Sequence, residues 1–170
     1  AQPKLDGHRC IAMVDKKGRC TLWSRSRKRI DSMPHIVAAV EALGAKGIVL
    51  DGELYNHAYH AKFETLTSLI RQDNPSEGGE VVQYHVYDVV RSGDFAVRTE
   101  WLSDLMGRRR SGPLVLVETV AITNEDKLMA AFRKFVGQGY EGAIARNAVG
   151  PYVHKRSYDL LKIKEFNDAE

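Results

Sequence analysis

The sequence is poor in cysteine and has no long hydrophobic run. Its two cysteines, Cys10 and Cys20, are too few for a disulfide framework and lack the spacing of a metal site. No apolar stretch is long enough to span a bilayer, and no basic-then-apolar leader follows Ala1. These absences argue against a disulfide-rich secreted domain and a membrane protein. They predict a cytoplasmic protein with reduced thiols.

Positive charge is only in slight excess, because 25 lysines and arginines oppose 22 acidic residues, which leaves a formal net charge of +3. This excess permits an anionic partner without requiring one, since the distribution of charge matters more than its sum. The basic residues are unevenly distributed, with one cluster at residues 25–29 and another at residues 155–164. A solvated face explains either cluster alone, but each adjoins a candidate site.

The 170 residues suffice for one domain with a buried core. Short β-prone runs mix with amphipathic segments without a regular βαβ alternation, which predicts an α+β fold with largely antiparallel sheets flanked by helices. The predicted strands cover residues 9–14, 19–24, 48–50, 81–90, 114–122, 140–146 and 160–166, and the predicted helices cover residues 36–43, 63–70, 99–106 and 124–136.

A candidate nucleophile, Lys4, lies in the run 4–9 near one end of the chain. A lysine amine has a reference pKa of about 10.4 and becomes nucleophilic when burial or neighbouring cations favour its neutral form. Arg9, Lys162 and Lys164 can supply such cations, and they would also stabilise charge on an attacked phosphoryl group. Taken alone, a surface lysine before a glycine turn is the simpler interpretation of Lys4.

Two acidic segments lie beside apolar strands. The segment 51–53 (Asp-Gly-Glu) follows the apolar run 48–50, and the pair Glu141-Gly142 precedes another strand, so both predict carboxylates at strand ends. Such carboxylates hold a hard cation such as Mg²⁺ or accept a hydrogen bond from a ribose hydroxyl. A turn carboxylate without a ligand is the alternative for either segment. Together with the lysines at the two ends, they predict a pocket for a nucleophilic amine and a polyphosphate.

Alternation along the predicted strand 81–90 places His85 and Tyr87 on one side. It places Tyr84, Val86 and Asp88 on the other. An aromatic side chain at a strand surface can stack on a base. More often such a residue belongs to the core, so this strand supports a nucleotide site only in combination with the other segments.

Six segments in order resemble the motifs of the covalent nucleotidyltransferases, which include ATP-dependent DNA ligases, RNA ligases and mRNA capping enzymes. The segments are residues 4–9, 24–26, 51–54, 84–89, 141–146 and 161–164. Within this family the chain is most similar to ATP-dependent DNA ligases of a compact viral or bacterial type. The ligase form is seen at Glu141-Gly142 and at 161–166, where capping enzymes more often have aspartate-glycine and a tryptophan between the lysines.

The resemblance implies an ATP-grasp-like adenylation domain that carries AMP on Lys4 and seals nicks in duplex DNA. Lys4, Asp6 and Lys164 would be catalytic, with Asp6 acting at the sealing step. Glu141 would hold the Mg²⁺ ion (or Mn²⁺), with Asp51 as a second candidate. The residues implied to bind the nucleotide are Gln2, Lys4, Leu5, Arg9, Glu53, Tyr87, Glu141, Lys162 and Lys164.

Within that set, Lys162 and Lys164 would hold the α-phosphate and Glu53 the ribose. Tyr87 would stack on adenine, and Gln2 would contact its edge. The residues implied to bind DNA are Ser24, Arg25, Arg27, Lys28, Lys155 and Arg156. Arg25 would grip the 5′-phosphate of the nick, a role that suits its forked guanidinium. The others would contact the backbone without reading sequence.

By the same resemblance, residues 1–170 form the adenylation domain, and the oligonucleotide-binding barrel that follows it in ligases is absent from this chain. We therefore expect a monomeric catalytic core that reacts poorly with free ATP. It would act in DNA repair, replication or recombination in the cytoplasm of a bacterium or a virus-infected cell. Two alternatives stay open: an RNA ligase, and a non-catalytic module that binds nucleotides or DNA ends.

Overall fold

The computed structural model describes residues 1–107, 109 and 112–165. Within these residues, nine strands form two sheets. The strands are β1 (Gln2–Lys4), β2 (His8–Val14), β3 (Cys20–Ser24), β4 (Arg29–Ile30), β5 (Ile48–Tyr55), β6 (Gln83–Val89), β7 (Leu114–Leu116), β8 (Gly142–Arg146) and β9 (Leu160–Lys164). The helices are α1 (Pro34–Glu41), α2 (Phe63–Ile70), α3 (Phe95–Met106) and α4 (Glu125–Gly137), with 3-10 turns at His57–Tyr59 and Gly79–Val81. None of the helices described is long and apolar enough to cross a membrane.

The larger sheet has the strand order β4-β3-β2-β5-β6-β7 and is antiparallel except for the parallel pair β6–β7. Alternation along β2 buries Cys10, Ala12 and Val14 on one face, as the period of a strand requires. These side chains join the main core, which also contains Leu50 of β5 and Leu102 of α3. The predicted α+β class with largely antiparallel sheets is confirmed.

The smaller sheet, with the order β1-β8-β9, brings together segments from opposite ends of the sequence. Both of its pairings are antiparallel. One face packs on α4, where Ala143 of β8 meets Phe132 and Phe135 in a second core. The opposite face of this sheet is therefore available for a site.

The predicted strand end at residues 51–53 is wrong, because β5 continues through them to Tyr55. Both carboxylates of this segment consequently lie in the middle of a strand whose neighbours are β2 and β6. They lie on the face opposite the main core, since the alternating residues Leu50 and Leu54 belong to that core.

Gly52 predicts a turn, but in the fold it makes room for an aromatic ring. The Tyr84 hydroxyl lies 3.0 Å from the carbonyl oxygens of both Cys10 and Leu50, and these two acceptors share its single proton. A Cβ on Gly52 would lie 2.7 Å from a ring carbon of Tyr84 and 2.5 Å from the carbonyl oxygen of His85. The glycine is thus required for close packing inside the sheet.

The predicted strand 114–122 is also wrong beyond β7, because the chain leaves the larger sheet there. The N–H of Val120 donates to the carbonyl oxygen of Ala1 at 2.8 Å, and the Ala1 amino group donates to the Val120 carbonyl oxygen at 2.6 Å. This segment therefore crosses to the smaller sheet.

Two other predicted elements differ from the structure in their bounds. The predicted helix 99–106 begins earlier, at Phe95, and the predicted strand 160–166 ends at Lys164. Phe166 lies outside the described residues.

Candidate active site

Lys4 and Lys164 converge on one carboxylate, that of Glu141. The Lys4 ammonium group forms an ion pair with Glu141 Oε2, and Lys164 Nζ lies 2.6 Å from Glu141 Oε1. The side chain of Lys4 is 13% exposed, whereas that of Lys164 is 53% exposed. The predicted nucleophile is thus shielded, while the second lysine borders solvent.

The register of the smaller sheet explains this convergence. Gly142 pairs with Lys4 on one side and with Lys164 on the other, so the two lysines lie on the same face. A Cβ on Gly142 would collide with the carbonyl group of Ile163 in β9. A glycine after Glu141 therefore lets the three strands approach closely enough for both lysines to reach its carboxylate.

The ion pairs govern the charge state of the cluster. Burial by itself would raise the pKa of Glu141, but hydrogen bonds from Lys164 and Lys4 outweigh it and hold this pKa below its usual value. The hydrogen bond to Glu141 likewise raises the pKa of Lys164. The cluster contains two cations and one carboxylate, so it carries a net positive charge suited to a phosphate group.

The face of the smaller sheet that bears Lys4 and Lys164 also bears three residues paired across its strands, Gln2, Ile144 and Lys162. Lys162 consequently lies on the same side of the sheet as Lys4, as the phosphate-binding interpretation requires. Ile144 presents an aliphatic side chain to this side. The sequence offered no signal for it, because an apolar residue in a strand usually indicates core.

Across from this face, the larger sheet contributes Glu53 and Tyr87. Glu53 is the direct partner of Arg9 in β2, and the Tyr87 hydroxyl lies 3.4 Å from Glu53 Oε2. Burial, with a further contribution from the nearby charge of Asp51, raises the pKa of Glu53 to about 7. The attraction of Lys4 opposes this rise. The two sheets adjoin here, since Gln2 of β1 donates to the Tyr87 carbonyl oxygen of β6 at 3.3 Å.

A β-bulge in β6 changes the predicted alternation. Asp51 of β5 pairs with Asp88, and the next residue of β5 pairs with Val86, so Tyr87 is an additional residue in the strand. The Asp88 carboxylate accepts a hydrogen bond from Arg146 of β8 at 2.8 Å. The prediction that Asp88 shares a side with residues 84 and 86 is therefore wrong, because the bulge turns it towards the smaller sheet.

Asp88 is the centre of a buried ion network. Its carboxylate accepts from Arg98 Nε at 2.8 Å and Nη2 at 3.2 Å, besides Arg146. Asp88 is 0% exposed and Arg98 is 2% exposed. The sequence does not predict the pair Arg98–Asp88, because no local pattern indicates a buried ion pair between a strand and the following helix. The network ties α3 to both sheets.

Arg146 extends this network to Gln2. Its Nε donates to Gln2 Oε1 at 3.1 Å, while Gln2 Nε2 donates to the Tyr87 carbonyl oxygen at 3.3 Å and to Thr119 Oγ1 at 3.0 Å. Gln2 is 3% exposed. These partners fix the amide beside Tyr87. A contact between Gln2 and an adenine edge stays a prediction, and it would use the lone pair left on Oε1.

Arg9 and Asp51 form a bidentate pair, with Nε–Oδ1 at 3.1 Å and Nη2–Oδ2 at 2.9 Å. The Tyr152 hydroxyl donates to the same Oδ2 at 2.7 Å. The hydrogen bond to Asp51 raises the pKa of Arg9 above its usual value. Arg9 is therefore held on the face of the larger sheet that bears Glu53, although its charge is directed at Asp51.

Of the two predicted metal ligands, Glu141 fits a divalent cation better than Asp51. Asp51 is 5% exposed, and its oxygens already accept three hydrogen bonds, which leaves one lone pair. Glu141 is 29% exposed. A single carboxylate suits Mg²⁺ when phosphate oxygens and waters complete the shell. In residues 1–107, 109 and 112–165, no group of three or more acidic, histidine or cysteine side chains forms a metal site on its own.

The turn between β1 and β2 carries the other predicted residues of the first motif. Leu5 is half-buried and Asp6 is exposed. A Cβ on Gly7 would lie 2.4 Å from the Leu54 carbonyl oxygen and 2.8 Å from Glu53 Cγ, so this turn packs directly on the larger sheet. Asp6 is thus presented to solvent two residues after Lys4, and its action at the sealing step stays a prediction.

The predicted DNA-binding residues occupy two segments. Four of them form the tight turn between β3 and β4, in which the N–H of Arg27 donates to the Ser24 carbonyl oxygen at 2.9 Å. Arg27 has a φ of +61°, the left-handed conformation. Arg25, Arg27 and Lys28 are all exposed. Since Ser24 pairs with Cys10, this turn lies at the Arg9 end of β2.

Lys155 and Arg156 are exposed in the second segment, the loop 147–159 between β8 and β9. The base of this loop is closed by Asn147 and Asp159, whose side chains are joined at 2.9 Å. The middle of the loop is attached to the larger sheet by the hydrogen bond from Tyr152 to Asp51. Both basic segments therefore border the Arg9–Asp51 pair.

The two adjoining sheets thus present a shielded lysine on one side and a buried carboxylate and an aromatic ring on the other. Residues 1–164 match the family model described as ATP dependent DNA ligase domain, and the chain belongs to that family.

Curated relatives and a solved structure resemble this chain over nearly its whole length. The chain is 29% identical over 181 residues to a DNA ligase of African swine fever virus, covering 99% of this chain and 42% of that protein. It is 23% identical over 218 residues to the DNA ligase of Enterobacteria phage T4, covering all of this chain and 45% of that protein. A Chlorella virus DNA ligase-adenylate shares the fold, with a TM-score of 0.77, 24% identity and coverage of 99% of this chain and 61% of that one. The chain thus spans less than half the length of these curated relatives.

Proposed function

We propose that this chain is the adenylation module of an ATP-dependent DNA ligase that uses Lys4 as its nucleophile. The observation that carries the proposal is the convergence of Lys4 and Lys164 on Glu141, beside the sheet face that bears Glu53 and Tyr87. A nucleophilic amine, phosphate-binding cations and a nucleoside-sized surface are thereby assembled in one place. Family membership supports the same reaction.

In the first step, Lys4 Nζ attacks the α-phosphate of ATP. A nitrogen–phosphorus bond forms as the bond to pyrophosphate breaks, and the ammonium group must lose a proton to solvent before the attack. Lys164 shares the Glu141 carboxylate with Lys4 and can retain it when Lys4 becomes neutral. Lys162 and Lys164 would then neutralise charge on the α-phosphate, where phosphoryl transfer depends most on positioning and electrostatics.

The nucleoside would lie between the two sheets. Glu53 would accept hydrogen bonds from the ribose, Tyr87 would stack on adenine, and Gln2 would contact the edge of the base beside it. Leu5 and Arg9 would border the sugar and phosphate. A divalent cation held at Glu141, Mg²⁺ or Mn²⁺, would supply neutralisation of phosphate charge.

In the later steps, AMP passes from Lys4 to the 5′-phosphate of a nick, and the adjacent 3′-hydroxyl displaces it to close the strand. Arg25 would grip the 5′-phosphate, and Asp6 would act near the strand end. Ser24, Arg27, Lys28, Lys155 and Arg156 would contact the backbone on both sides of the Arg9–Asp51 pair. Because such contacts release counterions, binding should weaken steeply with salt.

We further propose that the chain acts as a monomer in the cytoplasm, on nicked duplex DNA, in repair, replication or recombination. In a longer protein, it would precede an oligonucleotide-binding barrel. The viral and phage relatives, which are DNA ligases, support the DNA substrate.

Sealing of nicked DNA whose 5′-phosphate already carries AMP tests the proposal without requiring reaction with free ATP. The wild-type chain should seal such a nick in the presence of Mg²⁺ and release AMP, and Arg25→Ala should reduce sealing strongly. Arg19→Ala is the matched control, since Arg19 and Arg25 are exposed at opposite ends of β3. No sealing at any protein concentration would contradict the proposal, and sealing of RNA nicks alone would favour an RNA ligase.

A further inference from the structure

Tyr152 belongs to no motif that the sequence resembles, yet its hydroxyl reaches the face of the larger sheet that carries Glu53. It donates to Asp51 Oδ2 at 2.7 Å, the oxygen that also accepts from Arg9 Nη2 at 2.9 Å. Asp51 is 5% exposed, so its charge depends on these two donors. Burial raises the pKa of Tyr152 and keeps its hydroxyl protonated as a donor at neutral pH.

The half of the loop that precedes Tyr152 is held to the protein body. The carbonyl oxygen of Gly150 accepts from the N–H of Phe95 at 3.0 Å and from Arg98 Nη1 at 3.0 Å. The Arg98 guanidinium carbon lies 5.7 Å from the centroid of the Tyr152 ring. Arg98 is nearly fully buried. Residues 150–152 are therefore anchored by contacts that do not involve solvent-exposed side chains.

The half that follows Tyr152 carries the exposed cations Lys155 and Arg156. Beyond them, the Ser157 hydroxyl donates to Asp159 Oδ2 at 2.9 Å near the base of the loop. The basic pair thus lies between two attachments, the Tyr152–Asp51 hydrogen bond on one side and Asp159 on the other. Without the first attachment, the basic pair would be held only through Gly150 on one side and Asp159 on the other.

We propose that Tyr152 is a positioning residue that ties the basic loop to the nucleotide site and so orders Lys155 and Arg156 for contact with the DNA backbone. The inference rests on the proposed function, because it assigns those two cations to DNA. Ordering the loop in advance removes an entropy cost that would otherwise oppose binding. Asp51 serves as the attachment point, which gives this carboxylate a role other than metal binding.

The test compares Tyr152→Phe with Tyr158→Phe, which removes the same hydroxyl from a fully exposed side chain in the same loop. Binding of each protein to a nicked duplex is measured at several salt concentrations. Tyr152→Phe should weaken binding severalfold. It should also make the slope of log K against log salt shallower by up to about 1.8, the contribution of two duplex phosphate contacts. Tyr158→Phe should match the wild type in both quantities.

The salt slope separates positioning from partial unfolding, which lowers the binding-competent fraction without changing the number of phosphates contacted. A second readout does not involve DNA at all. Trypsin cleaves after lysine and arginine, so Tyr152→Phe should accelerate cleavage after Lys155 and Arg156, whereas Tyr158→Phe should not.

A double-mutant cycle completes the design. Tyr152→Phe should add no further change in slope to a chain that already carries Lys155→Ala and Arg156→Ala. An unchanged slope and unchanged trypsin cleavage in Tyr152→Phe would overturn the positioning role of Tyr152. The proposed function would stand if the Lys155 and Arg156 variants still weaken binding. Failure of the wild-type chain to bind nicked duplex would overturn both the DNA-binding part of the proposed function and the positioning role of Tyr152.

Discussion

Replacing Glu53 by glutamine should change how the stability of the folded chain depends on pH. Glu53 lies on β5 between the two sheets, where burial and the charge of Asp51 raise its pKa from an ordinary 4.5 to about 7. The unfolded chain has no such burial, so there the carboxyl group ionises at its ordinary value. Between these two values, the unfolded chain has released a proton that the folded chain still holds.

The sign follows from that difference. Rising pH favours the state that binds fewer protons, so the stability of the wild type should fall between pH 4.5 and about 7 and then level off with respect to this group. Each unit of pKa difference is about 1.4 kcal/mol. The loss attributable to Glu53 is therefore at most about 3.5 kcal/mol. Glutamine keeps the shape and cannot ionise, so Glu53→Gln should not show this loss.

The assay is urea unfolding of both proteins across this pH range at constant ionic strength. Titrating groups distant from Glu53 contribute equally to both, so the difference in unfolding free energy reports Glu53 together with its coupling to Asp51. Glu100→Gln is the control, because Glu100 is exposed on α3 and its replacement should give a curve parallel to the wild type. If the unfolding free energies of the wild type and Glu53→Gln changed in parallel with pH, the conclusion that the fold raises the pKa of Glu53 would be refuted.

Two further predictions concern the packing beneath the site, and urea unfolding measures both. Gly52→Ala should cost about 1–3 kcal/mol, since its Cβ would lie 2.7 Å from the ring of Tyr84, and a loss within error would show that the strand relaxes freely. Arg98→Met should cost about 3 kcal/mol or more, because Asp88 is completely buried and would keep only Arg146 as an ionic partner. A stable Arg98→Met protein would contradict the importance assigned to this ion network.

The sequence predicted the meeting of Lys4 with Lys164 because each lies beside a recognisable motif. The structure provides the reason for their proximity, since Gly142 pairs with both lysines in one small sheet. It could not be predicted that Asp51 lies in mid-strand. Gly52 normally indicates a turn, and only the position of the Tyr84 ring shows why a glycine is needed there.

Features that depend on distant contacts left no local signal. The hydrogen bond between Tyr152 and Asp51 joins residues 101 positions apart, and that between Arg146 and Asp88 joins residues 58 positions apart. An arginine such as Arg98 in an amphipathic helix is usually exposed, and its burial follows only from the bulge that turns Asp88 towards it. Long-range pairing, rather than periodicity, decided these positions.

The central claim is that Lys4 accepts an adenylyl group from ATP. The most direct measurement is the intact mass of the protein after incubation with ATP and Mg²⁺, followed by peptide mapping. It is made on this chain and on a version extended by a C-terminal oligonucleotide-binding barrel. The account predicts a gain of one adenylyl group on Lys4, its absence in Lys4→Arg, and its retention in Lys16→Arg, which alters an exposed turn lysine. No adduct in either version, or an adduct that persists in Lys4→Arg, would contradict it.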